Sequence, residues 1–83
     1  MDEKIYETKD LHETAAISVF ANLDPELKKV KNHVVFIYPA SKEVLLAKKK
    51  FAENDPIPST EFSRTIKSLR FQMLQTKDGN GNR

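Results

Sequence analysis

Five consecutive residues, Val34-Val35-Phe36-Ile37-Tyr38, constrain this chain more than any other segment. β-branched and aromatic side chains suit a pleated backbone, and a strand made of them is apolar on both faces. Such a strand belongs in the middle of a sheet, so the chain needs a partner strand on each side of it. Leu27 to Val30 supplies one. It is separated from the run by Lys31, Asn32 and His33, a hairpin spacing in which Asn takes a left-handed turn conformation. The second partner is a short strand between Lys4 and Lys9, where Ile5 and Glu7 alternate with Tyr6 and Thr8.

The intervening segments read as helices. Asp10 has the chemistry of an N-cap, with Glu13 three residues later, in a box-like start that satisfies free helix N–H groups and sets acids at the positive end of the dipole. The helix runs from Leu11 to about Leu23. Ala16, Ile17, Val19, Phe20 and Leu23 form its apolar sector, Thr14, Ser18 and Asn22 a polar stripe opposite, and Asp24-Pro25 its end. Ser41 caps a second helix to about Asn54, with Glu43 in its first turn, Lys48, Lys49 and Lys50 towards its end, and Val44, Leu45, Ala47 and Phe51 facing inward. Asp55-Pro56-Ile57-Pro58 is a stiff connector that cannot be helical. Ser59 then caps a third helix, in which Ile66, Leu69 and Met73 fall within about 40° of Phe62 at about 100° per residue.

The expected fold is therefore α+β, a small three-stranded antiparallel sheet covered by helices in the order β-α-β-β-α-α. Residues 1–76 form its single domain, with Phe20, Phe36, Phe51, Phe62 and Leu69 in one core. Lys77 to Arg83, containing Gly79 and Gly81 among polar residues, form a disordered C-terminal tail. A composition 39% hydrophobic and 31% charged is that of a folded domain, and 83 residues do not hold two cores. The chain has no cysteine, so neither a disulfide nor a thiolate metal site supports the core.

The points Tyr6, Thr8, Asp10 and Leu11 of a Y-x-T-x-D-L opening, the alanine-containing helix after it, the aromatic strand and the Leu69-Arg70 step of the last helix resemble a family of small bacterial and phage domains of unknown function. The resemblance covers about residues 5–75 and implies the same fold and a prokaryotic or viral source. It implies no catalytic residue. The KKKF run and the two-proline connector depart from that family's pattern.

The sequence offers little chemistry. His12 and His33 are isolated from any ligand-spaced partner, no serine sits on a nucleophile elbow, and the two glycines lie in the tail, away from any phosphate-cradling loop. The expectation is no catalytic residue, no metal, no cofactor and no small-molecule substrate. Tyr6 and Thr8 read as structural, the ring packed with its hydroxyl at the surface and Thr8 or Asp10 capping the helix. Three successive lysines on a helix point about 100° apart, so Lys48, Lys49 and Lys50 read as a solvated helix end.

One residue breaks the pattern. Phe71 lies about 180° from Phe62, on a face shared with Arg64, Lys67, Ser68 and Gln75. These five residues are the candidate interface. An aromatic ring among cations suits a protein interface or a stacking platform for single-stranded nucleic acid, and cover by the first helix or the tail is the plain alternative. Residues 1–26 hold seven acids and two bases, residues 27–83 twelve bases and five acids. Mutual attraction of the two halves, or solvation, explains this split more simply than a basic docking face does.

The functional expectation is a non-enzymatic binding or adaptor module acting through protein–protein contacts and forming a homo-oligomer. The alternative is a nucleic-acid-binding accessory or regulatory protein of a phage or mobile element. An acidic N-terminus and the lack of a long apolar run point to a soluble protein with no membrane partner, in the cytoplasm of a prokaryotic or phage-infected cell.

Overall fold

A computed structural model describes residues 4–78, arranged as β1 (Ile5–Thr8), α1 (Leu11–Ala21), β2 (Glu26–Val30), β3 (His33–Pro39), α2 (Lys42–Ala52) and α3 (Ser59–Asp78). The three strands form an antiparallel sheet in the order β1-β3-β2, so the VVFIY strand is central and the fold is the small α+β architecture its sequence predicts. Val34, Phe36 and Tyr38 point to one face and are buried there. All three helices lie on that side. α1 runs down the middle, with α2 on one flank and α3 on the other.

The register, Leu27 opposite Phe36 and Tyr6 opposite Tyr38, places the aromatic residues of the strands, with Leu27 and Val34, on the helix side. This register closes the β2–β3 hairpin with Val30 opposite His33, leaving only Lys31 and Asn32 in the turn. Lys31 has φ 58° and takes the left-handed conformation expected of Asn32, and His33 is in the strand. A left-handed lysine costs about 1–2 kcal/mol. Slipping the register by one residue would turn Leu27 to the opposite face, which costs more.

α1 departs from its expected orientation. Thr14, Ala15, Ala16 and Ile17 are all 0% exposed, and four consecutive residues sweep about 300° of a helix. The helix is therefore covered by the sheet beneath and by α2 and α3 beside it. Two members of the polar stripe do not face solvent: Thr14 is buried with its hydroxyl donating to the Asp10 carbonyl at 2.8 Å, and Ser18 meets the sheet at Tyr38, which donates a hydrogen bond to the Thr14 carbonyl at 2.9 Å. Its phenolic proton is then committed, so Ser18 donates to the Tyr38 oxygen at 2.6 Å. The helix also stops early. Asn22, at φ 57° and ψ 45°, is a left-handed C-cap, and Leu23 lies outside the helix and partly exposed.

α2 begins as expected, with the Ser41 hydroxyl accepting from the Val44 N–H at 3.3 Å. Only Val44 and Ala47 are buried, and Leu45, expected inside, is 50% exposed. A helix on the flank of α1 buries a narrow stripe, and Leu45 lies about 100° from Val44. In α3 the Phe62 N–H bonds the Pro58 carbonyl at 2.9 Å, so Ser59 is the first helical residue rather than the cap. α3 extends through Lys77 and Asp78, beyond the expected boundary at 76, and the Lys29 ammonium donates to the Lys77 carbonyl at 3.0 Å, a cation at the negative end of the dipole. The rest of the expected tail, residues 79–83, lies outside the described residues.

The core is two clusters, where the sequence predicts one. Ile17, Tyr38, Val44 and Ala47 pack with Tyr6 and Phe20 between α1, α2 and the sheet. Ala15, Phe36 and Leu69 pack with Leu27, Phe62, Ile66 and Met73 between α1, α3 and the sheet. α1 rides over β3 and divides them, and Phe51, half-buried, belongs to neither.

Candidate functional site

Two places concentrate side-chain chemistry: the β1–α1 corner and the outer face of α3. At the corner the Asp10 carboxylate caps α1, accepting from the N–H groups of His12 (2.9 Å) and Glu13 (3.1 Å). A capping box would return Glu13 to the cap residue's N–H. Instead that N–H donates to the Thr8 hydroxyl at 3.1 Å, while both Glu13 oxygens accept from β1, one from the Tyr6 hydroxyl at 2.5 Å and one from Thr8 at 2.7 Å. The Tyr6 hydroxyl is thus bonded across the corner rather than left at the surface.

Partial burial, then the hydrogen bond to Glu13 and its negative charge, push the Tyr6 hydroxyl up to about 12. A phenol held protonated this firmly is no general base near neutrality, and the carboxylate beside it has both oxygens occupied. Lys48 sets its ammonium 4.6 Å from the centre of the Tyr6 ring, and Lys50 lies 5.4 Å from that of Phe20. The lysine run is therefore splayed as expected, but two of its members cover aromatic rings rather than simply facing water. The corner orients β1 against α1.

The histidines stay apart. His12 is exposed, its ring 6.1 Å from that of Phe62, and His33 is exposed in β3. Among the described residues no three His, Asp or Glu side chains gather where they could hold a metal ion.

On α3, Arg64, Lys67, Ser68, Phe71 and Gln75 are all exposed, Phe71 at 61%. Neither the first helix nor any other described segment covers the ring. Sequence reasoning missed its companion: Leu74, three residues on, is 63% exposed and adjoins Phe71 on the helix surface. Its position about 120° from Phe62 was the available signal. Arg64 and Ser68 also border an open groove of about 460 Å³ against Ser18, Val19 and Asn22 of α1, where the Ser68 hydroxyl accepts from the Gln72 amide at 3.1 Å. Arg64 and Lys67 further line a shallow hollow beside the first turn of α3. The arrangement is an apolar ridge with a cationic approach and hydrogen-bonding side chains at its margin.

Comparison with protein-family models, with curated proteins and with solved structures finds no match to this chain.

Proposed function

We propose that the protein is a non-enzymatic binding module that docks a partner protein through the outer face of α3. The carrying observation is the pair Phe71 and Leu74, both more than half exposed and one turn apart on the helix surface. Large rigid side chains of this kind anchor interfaces, and Arg is enriched around them. Arg64 and Lys67 on the same face favour a partner with acidic groups around an apolar hollow, since two such cationic faces repel each other. Ser68 and Gln75 supply rim hydrogen bonds.

A photo-crosslinking side chain placed at Gln75 and activated in the native cell tests this reading. The expected result is one discrete protein adduct that disappears when Phe71 and Leu74 are both replaced by Ala. Its persistence in that double variant overturns the assignment.

The nucleic-acid reading draws on the same face, where cations would meet phosphates and Phe71 would stack on a base. If it holds, single-stranded DNA or RNA binds at low salt and weakens steeply as salt rises, and Phe71→Ala removes about 1–3 kcal/mol. No binding in such titrations eliminates it.

A further inference from the structure

The side of the sheet away from the helices carries a charge pattern visible only once the register is known. Glu7 and Glu26 stand opposite Ile37 from the two outer strands, making a row acid–apolar–acid. One pleat along, Lys28 stands opposite Val35 from β2, and Lys9 lies beside Val35 at the end of β1, making a row base–apolar–base. Val35 is only 9% exposed and Ile37 half-buried between the flanking charged residues, while Ile5, at 54% exposed, and Val30, at 37%, add apolar surface at opposite corners. Neither core cluster takes a residue from this face.

We infer that this face pairs two copies of the chain through a two-fold axis that crosses the strands at right angles, between the rows of Ile37 and Val35. Rotation about that axis keeps each strand over its own copy and exchanges the two rows. Glu7 then faces Lys9 of the second copy, Glu26 faces Lys28, and Ile37 packs on Val35, each contact occurring twice as an isologous interface requires. An axis along the strands would instead set glutamate on glutamate and lysine on lysine, so the charges select one packing and oppose the other. Stacked sheets sit about 10 Å apart, a gap that these side chains span.

The face is small. Three strands spaced about 4.8 Å apart give a strip about 15 Å wide, below the roughly 800 Å² per partner of a standard interface. The dimer is accordingly a weak one, populated as concentration rises.

Glu7 and Lys9, like Glu26 and Lys28, are also neighbours along their own strands, and the same alternation would serve simple solvation. Sedimentation equilibrium on charge-swapped chains separates the two. The parent chain is expected to dimerise reversibly at low salt. Glu7→Lys with Glu26→Lys makes an all-basic face, and Lys9→Glu with Lys28→Glu an all-acidic one, and each alone is expected to weaken dimerisation by at least about tenfold. Mixed one to one they should form a heterodimer tighter than the parent dimer, a gain that misfolded variants would not give.

A parent that stays monomeric to about 1 mM, or a mixture that stays monomeric, overturns the inference. Phe71→Ala with Leu74→Ala is expected to leave the dimer intact. Its loss in that variant would move the contact to α3 and overturn the assignment to the sheet, whereas loss of only the α3 crosslink bears on the partner-docking proposal alone.

Discussion

Phe36 and Tyr38 lie two residues apart on one face of one strand, both 0% exposed, yet they anchor differently built halves of the core. Phe36 gathers Leu11, Ala15 and Leu27 with Phe62, Ile66, Leu69 and Met73 of α3, and its own side chain carries no polar atom, although Thr8 stands opposite it on β1. Around Tyr38 the apolar residues share space with polar atoms, because the hydroxyl holds the Thr14 carbonyl and Ser18 of α1 while Tyr6 engages Glu13 next door. Bulk burial is non-directional and tolerates some sliding, whereas hydrogen bonds work over a narrow range of distance and angle. The α3 half thus holds by apolar packing, and the α2 half adds the directional bonds that fix where α1 sits over the sheet.

The largest expected effect breaks the α3 half. Phe36→Ala should cost about 3–5 kcal/mol in urea unfolding, most of the stability of so small a domain. A loss no greater than that of the conservative change at Tyr38 would show that the halves do not differ as described.

Tyr38→Phe should cost less, about 1–2 kcal/mol, since the ring stays and only the hydroxyl's bonds are lost. It also carries a pH signature. Burial, with the charges of Asp24 and Glu13 adding to it and the Ser18 bond opposing it, pushes Tyr38 up to about 12 from an ordinary 10.0. Between those values the unfolded chain releases a proton that the folded chain keeps. This contribution is therefore full below pH 10 and is lost as pH rises towards 12. The melting temperature of Tyr38→Phe should fall less steeply over that window than the parent's, Tyr6 contributing to the fall that remains. Parallel curves would refute the buried, hydrogen-bonded role of Tyr38.

The smallest of the three effects sharpens the comparison at the edge of the polar half. Asp10→Ala should cost about 1 kcal/mol by freeing the N–H groups of His12 and Glu13, and thermal melts should detect it without loss of helix content. A neutral result would mean that the Tyr6–Glu13–Thr8 bonds hold the corner without the cap.

Much of the architecture was legible in residue type and period. The apolar run from Val34 to Tyr38 demanded a central strand, Asp10 and Ser41 marked helix starts, and the spacing of Phe62, Ile66, Leu69 and Met73 put Phe71 on the far side of α3. These features depend on neighbours a few residues away, which the chain itself supplies. Tertiary structure alone decided that Ser18 faces inward, because its partner is the hydroxyl of Tyr38, 20 residues along the chain, and that Thr14 is buried, its hydroxyl turned back to the Asp10 carbonyl. It likewise left Leu45 and Leu74 in the open, gave Lys31 rather than Asn32 the left-handed turn, and set the glutamate and lysine rows side by side on the bare face of the sheet. Periodicity tells which residues share a face, but whether that face meets protein or water, and which residue of another strand stands beside it, depends on register and packing across the whole fold.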